Sequence, residues 1–349
     1  MAVQLTERQR QILRHVVEEY LHSGRAVGSR ALLERVTLGV SPATVRNDMS
    51  VLEALDFLTQ PHTSAGRVPT EQGLRYYVRY LMEESELTPE EQLMIRHQFR
   101  QVEQQVPSWL KLAASVLAET SGSVGLVTPP RARVERLRHF EAISLRPRVV
   151  LLVVVTQSGA VHQTLLDLSV PLEQEELSAL SRALNPELRW LDRHAIERRA
   201  SSAAPLTAQV LRHIADALRF VEEQQRSELY AEGVEYVIRQ PEFAQAQLTQ
   251  VLLEVLRGGM LLTWLLPRLD PQEGVRVLIG SELVVRELRP FSLVLSAYRS
   301  GTDVTGWLGV LGLQRMAYAR AIAGVRFLSS VISELMSELS GEPEREGGR

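Results

Sequence analysis

The stretch from Ser41 to Thr70 constrains the fold of this chain more than any other. Ser41 offers an N-cap hydroxyl, and Pro42 follows at the first helical position, where a missing N–H costs nothing. Val45, Met49, Leu52 and Leu55 then recur at helical spacing and predict a helix with one buried stripe. The opposite face carries Ala43, Thr44, Arg46, Asn47 and Ser50. Small residues permit close approach to a major groove, and Arg and Asn can pair bidentately with guanine and adenine edges. An ordinary amphipathic surface helix would show the same stripe, so the helix alone does not decide. The segment behind it adds more. After Phe57 and Leu58 come a turn-rich run, His62 to Gly66, and a return at Arg67-Val68, which predicts two short strands joined by a loop. Beside a helix-turn-helix that is a wing. Gly66 is read as supplying backbone freedom, and His62, Thr63, Ser64 and Arg67 can all touch phosphate.

The flanks complete the unit. Thr6-x-x-Gln9 is a capping box, and Ile12, Leu13, Val16, Val17, Tyr20 and Leu21 make the apolar face of a first helix ending at Gly24. Ser29 caps a short second helix, Arg30 to Val36. Gly28 and Ser29 place backbone donors at its N-terminus, where a DNA phosphate would be favoured, although an ordinary cap accounts for Ser29 equally well. Thr70 opens a further helix through Met82, with Tyr76, Tyr77 and Tyr80 read as core or domain contacts.

Taken together, Gly28 to Thr70 resembles the winged-helix domain of the HrcA family, the bacterial heat-inducible transcription repressors. The resemblance is carried by Val27-Gly28-Ser29, by Ser41-Pro42-Ala43-Thr44-Val45-Arg46-Asn47-Asp48-Met49, and above all by Pro61 through Pro69 followed by Gly73-Leu74-Arg75-Tyr76-Tyr77-Val78. The candidate DNA-contact set is therefore Gly28, Ser29, Ser41, Pro42, Ala43, Thr44, Arg46, Asn47, Ser50, His62, Thr63, Ser64 and Arg67.

Charge gives this reading no help. The net charge is −3, and the first 84 residues hold ten Arg against ten Asp and Glu, so no basic excess marks a DNA-binding domain. The reading rests on where the arginines lie. With no cysteine there are no disulfides, no thiol catalysis and no cysteine-ligated metal. The N-terminus lacks a signal-peptide core. Val149–Val155 is too short to span a bilayer, and Val251–Leu269 is interrupted by Glu254, Arg257 and Arg268. A soluble, cytoplasmic protein is expected.

The 349 residues suffice for two or three domains. A boundary falls at Glu83 to Leu87, and Thr88-Pro89-Glu90-Glu91 starts a helix that runs to about Glu119, bent or broken at Pro107. Strands are predicted at Val124–Val127, Phe140–Leu145, Val149–Thr156 and Ala160–Asp167, the last two joined by a turn at Gln157-Ser158-Gly159. They read as a buried antiparallel sheet packed on the preceding helix. From Pro171 to about Glu228 the apolar spacing turns helical, with a loop at Arg198 to Ala204. Strand chemistry resumes at Val275–Ile279, Leu293–Tyr298 and Trp307–Leu311, before a closing helix from Gln314 to Leu339. The tail from Gly341 reads as disordered. Sheet, helical segment and sheet again is the pattern of an insertion into an α/β domain.

The resemblance supplies names for these parts. It implies an α+β multidomain chain, with an N-terminal winged helix-turn-helix at 1–84 and then a GAF-like α/β domain in two segments, 88–170 and 229–340. A helical dimerisation insertion at 171–228 interrupts that domain. Gly280-Ser281-Glu282, Phe291-Ser292-Leu293-Val294, Ala297-Tyr298 and Leu311-Gly312-Leu313-Gln314-Arg315-Met316-Ala317-Tyr318 are similar to family segments. Two positions depart from the family pattern. Leu283 stands where the family usually has Asn, and Leu313-Gln314 where it tends to have Pro-Thr, so a ligand or chaperone contact made there would differ.

No P-loop, His-Glu-x-x-His or nucleophile-elbow pattern occurs, and the eight histidines are scattered, which argues against an enzyme, a metal or a cofactor. Gly306-x-x-Gly309-x-x-Gly312 sits among apolar neighbours and reads as tight sheet packing. The resemblance implies a homodimeric repressor that binds double-stranded DNA at an inverted-repeat operator upstream of chaperone operons. It also implies a GroE-type chaperonin that keeps the repressor active, and no membrane partner. Two other classes compete: a small-molecule-sensing regulator with a metabolite in the GAF-like half, and an enzyme carrying the winged helix as a protein-interaction module.

Overall fold

The computed structural model describes residues 5–35, 39–62, 66–103, 105–132, 134–244, 246–257, 265–299 and 304–340. The expected disordered tail from Gly341 lies outside these residues. The chain forms two compact units. The first comprises 1–127, 230–297 and 308–331, and the second 128–229, 298–307 and 332–349.

The first unit begins with α1 (Glu7–Ser23), α2 (Ser29–Arg35) and α3 (Pro42–Ala54), followed by β1 (Leu58–Thr59), β2 (Val68–Pro69) and α4 (Glu71–Tyr76). The starts follow from local chemistry. Thr6 and Gln9 close the capping box on α1, and Gly24 ends that helix in the left-handed conformation. Thr70 caps α4, accepting from the Gly73 N–H at 3.0 Å. Ile12, Leu13, Val16, Leu32, Val45, Met49, Leu52, Phe57 and Leu74 form the small core these elements share. The helix expected through Met82 is α-helical only to Tyr76 and continues as a π-helical turn from Tyr77 to Leu81. Of its tyrosines, Tyr77 is buried and Tyr76 packs edge-on to Phe57, while Tyr80 stays 62% exposed.

Then come α5 (Pro89–Gln101), α6 (Val106–Ser121) and β3 (Val124–Val127). The expected break at Pro107 is present, with Pro107 in the first turn of α6. The six-stranded sheet is completed by short or late strands: β4 (Arg131–Ala132) pairs β11, and the main order is β8-β3-β11-β10-β9. Here β8 is Tyr230–Glu232, β9 Arg276–Ile279, β10 Phe291–Arg299 and β11 Val304–Leu313. Gly309 of β11 lies against the Val294 carbonyl of β10, so the glycine repeat serves close strand packing. α6 covers β3 with Leu110, Ala114 and Leu117, and the closing helix (Tyr318–Ser340) adds Ala321, Val325 and Leu328 to that core.

Val127 of β3 and Tyr230 of β8 are antiparallel partners, and the chain between them, after β4, forms a sheet of its own from residue 137 on. Those residues fold as a three-stranded antiparallel sheet, β5 (Leu137–Arg146), β6 (Val149–Thr156) and β7 (Val161–Asp167), with α7 (Gln174–Leu188), α8 (Arg193–Ala200) and α9 (Pro205–Ser227). Leu137, Phe140, Val150, Leu152, Val154 and Leu166 meet Leu177, Leu188, Ile196, Leu211, Ile214 and Leu218 in one core. The strands at 137–167 therefore pack on the helices that follow them, not on the helix before them. The grouping of 137–170 with the other strands does not match this core, and the structural break falls near 128 instead of 171. The expected loop starts later too, because Arg198 to Ala200 complete α8. Asn185 of α7 clamps the edge strand β5, donating to the Phe140 carbonyl (2.8 Å) and accepting from its N–H (2.9 Å). Gln174 does the same at Ala142 and Ser144. An edge that would otherwise invite strand pairing is thereby satisfied.

Among the described residues of its unit, nothing covers the outer face of this sheet. Ile143, Leu151 and Leu165 form one cross-strand row, and Val155 lies opposite Val161 in another. Leu165 is 61% exposed and Val161 59%.

Candidate nucleic-acid interface

Ser41 caps α3 as its sequence requires. The Ser41 hydroxyl accepts from the Thr44 N–H at 3.2 Å and lies 3.0 Å from the Thr44 hydroxyl. Replacing Ser41 with Ala is expected to lower stability by about 1 kcal/mol, read by denaturant titration, because that N–H loses its acceptor. From this cap the helix turns Val45, Met49 and Leu52 inward and leaves Pro42, Ala43, Arg46, Asn47 and Ser50 exposed, with Thr44 half-buried. The Ser50 hydroxyl donates back to the Arg46 carbonyl at 3.0 Å.

Asp48, on the inward side, was not singled out by spacing. Its carboxylate accepts from the Arg8 Nε at 2.6 Å, which ties α3 to the start of α1. The pairing holds the Arg8 guanidinium above its ordinary pKa, through the hydrogen bond first and the charge second.

At the wing, β1 pairs β2 through Leu58↔Pro69 and Thr59↔Val68. The return strand also bridges the segment before α2: the Val27 N–H donates to the Arg67 carbonyl at 2.8 Å, and the Arg67 N–H to the Val27 carbonyl at 2.9 Å. Gly66 is needed here for close approach. A Cβ on it would lie 2.3 Å from the Val27 carbonyl carbon, so the glycine serves contact and not a left-handed turn. His62 is exposed, whereas Thr63 and Ser64 lie outside the described residues.

Two candidates are placed differently from expectation. Arg67 is not a free cation. Its Nη2 pairs with Glu53 Oε2 of α3 at 2.8 Å, and its side chain is only 15% exposed. The guanidinium fixes the wing against α3. Ser29 is the first residue of α2, is buried, and points its side chain away from solvent. Gly28 beside it is open, with nothing near the place a Cβ would occupy. Ala43, Arg46, Asn47 and Ser50 therefore lie exposed along one face of α3, Ser41 and Pro42 are exposed at its start, and His62 is exposed after β1.

The fold with this exposed helix meets two matching family models. Residues 4–78 match the winged helix-turn-helix transcription repressor, HrcA DNA-binding domain, and residues 108–322 match the HrcA protein C-terminal domain. This chain belongs to the HrcA family. A heat-inducible transcription repressor HrcA of Thermomicrobium roseum is 82% identical over all of both chains. One from a Roseiflexus species is 40% identical, covering 98% of this chain and 97% of its own. A crystal structure described as that of a hypothetical protein shares the fold, with a TM-score of 0.61 at 24% identity over 96% of this chain and 99% of that one. As an HrcA member the chain is a heat-inducible transcription repressor with a winged-helix DNA-binding domain, and not an enzyme.

The HrcA segments that departed from the family pattern are also placed. Leu283 is fully buried. The Gln314 amide donates to the Arg289 carbonyl at 2.7 Å and reaches Glu71 of α4 at 3.4 Å. Among the described residues, no helix is long and apolar enough to cross a membrane.

Proposed function

We propose that this repressor acts in the cytoplasm as a homodimer on an inverted-repeat operator of heat-shock (chaperone) genes, and that a GroE-type chaperonin maintains its activity. The observation that carries the DNA half of this reading is the exposed N-terminal face of α3, where Ala43 permits close approach, Arg46 offers paired donors and Asn47 a donor beside an acceptor. Ser41, Pro42 and Thr44 line the same end of the helix, and Ser50 extends the exposed face one turn beyond Arg46. His62, Thr63 and Ser64 are assigned to phosphate contact from the wing, Gly28 and Ser29 to phosphate contact through the backbone at the start of α2, and Arg67 to holding the wing in place.

The dimer half draws on the uncovered row Ile143, Leu151 and Leu165. Apolar rows of this kind mark interaction surfaces, and one winged helix reads too few base pairs for tight binding. The second copy is therefore the assigned occupant. The unit spanning 128–229 is read as the inserted dimerisation domain, and the six-stranded sheet with its helices as the GAF-like domain. The chaperonin enters through the family resemblance alone.

Electrophoretic titration of a chaperone-operon promoter fragment, with and without purified GroE-type chaperonin, tests the whole reading. Binding that tightens with chaperonin is expected. Tight binding that ignores chaperonin but responds to a metabolite extract would favour the small-molecule sensor instead.

A further inference from the structure

In the first unit the described residues of the winged helix meet the elements around the six-stranded sheet at Glu71 and Arg75 through hydrogen bonds, and at Gly24 through contact alone. The first centres on Glu71 at the start of α4. Its Oε2 accepts from the Ser281 N–H at 3.0 Å and the Ser281 hydroxyl at 2.7 Å, and Oε1 from Gln314 at 3.4 Å. One turn on, Arg75 donates to the Ser281 hydroxyl (2.8 Å) and the Ile279 carbonyl (3.3 Å), and its guanidinium forms an ion pair with Glu282. Burial pushes the Glu71 carboxyl up, but the Ser281 hydrogen bonds and the Arg75 charge outweigh it and hold the group below its ordinary pKa. Gly280 is shaped for this contact. Its φ is +56°, and a Cβ there would sit 2.2 Å from Glu71 Oε1. The second is a contact alone: the Arg315–Glu242 pair joins two segments outside the winged helix, and Arg315 lies beside Gly24 at the end of α1.

None of these side chains is in the candidate DNA-contact set. We propose that Glu71 and Arg75 are positioning residues for operator recognition: by clamping each winged helix to its own sheet, they set the half-site spacing that the dimer accepts. The proposal rests on the dimeric, inverted-repeat reading above. The physical link is orientation. Each base pair added between half-sites turns them by roughly a tenth of a helical turn, so only a rigid mounting can reject a wrong spacing. A winged helix on a loose tether would reach several spacings, each with a lower effective concentration.

The test uses full-length protein and duplexes that the wild type has selected from a randomised pool. One set carries a single half-site. The other carries the inverted repeat with its selected spacer, or with the spacer changed by one to five base pairs. Wild-type protein is expected to prefer its own spacing by about tenfold or more. Glu71→Ala on the winged helix and Gly280→Ala on the sheet are each expected to reduce that preference to about threefold or less. The two changes disturb one contact from opposite sides, so their combination should add little. Single half-site affinity should stay at the wild-type value, and this also reports that the winged helix is folded. Glu71→Gln, a milder change, should fall between. If wild type prefers one spacing and both alanine variants keep that preference, the positioning role is overturned while the dimer reading stands. If wild type binds single and paired half-sites alike, the dimer reading falls and takes this proposal with it.

Discussion

Leu165→Asp is expected to leave the protein folded and monomeric, and to weaken binding to an inverted repeat by roughly 10²–10⁴-fold. Leu165 projects from the outer face of β7, in register with Leu151 of β6, beyond which Ile143 of β5 continues the row. At 61% exposure it lends little to the unit's own core, so the monomer should lose no more than about 0.5 kcal/mol of stability. A carboxylate buried against a second copy has no partner there, and the cost of desolvating it should open the interface. Single half-site binding should be untouched, because the winged helix is not altered. Sedimentation at matched concentrations reads the assembly, and operator titration reads the affinity. A Leu165→Asp protein that stays dimeric would place the interface elsewhere, with the closing helix, Tyr318–Ser340, as the next candidate. Deleting 171–228 alone would be a poor version of this experiment. It would strip α7 and its neighbours from the sheet whose core they share, so loss of binding would report misfolding.

The second large effect is on base reading. Arg46→Ala and Asn47→Ala are each expected to cost ~1–3 kcal/mol of specific binding, concentrated at one base pair per half-site. Folding should be spared, since both side chains are exposed and neither joins the Val45, Met49, Leu52 stripe. Non-specific binding should change far less for Asn47→Ala, which removes no charge, than for Arg46→Ala. Operator affinity unchanged in both variants would remove α3 from the interface. The loss of Arg67 should look different again: without its pairing to Glu53 the wing loses its tie to α3, so contacts made by neighbouring wing residues should weaken together.

The parts of this molecule that were legible from sequence are those whose chemistry is local. Thr6, Ser41, Thr70 and Thr88 each cap the helix that follows them, because a hydroxyl three residues from a free N–H needs no distant partner. The turn at Gln157-Ser158-Gly159 is likewise set by the left-handed φ that Gly159 accepts. What stayed hidden depends on residues far apart in the chain. Arg67 looked like a phosphate ligand because nothing in its neighbourhood of sequence reveals that Glu53 will lie 2.8 Å away. Asp48 faces Arg8 across forty residues, and Glu71 meets Ser281 across more than two hundred. Alternation marked β5 to β7 as strands with a buried face, but alternation does not say what buries that face. The helices that do so come afterwards, and the domain break was read too late for that reason. Two-residue strands such as β4 carry no periodic signal at all.

Methylation footprinting on the operator tests the central claim most directly, because it reads guanine N7 in the major groove. If α3 reads the bases, wild-type protein should protect guanines at symmetric positions in both half-sites, and Arg46→Ala should lose protection at one guanine of each while keeping the others. The same footprint in wild type and Arg46→Ala, or one with no protected guanine in the major groove, would contradict it.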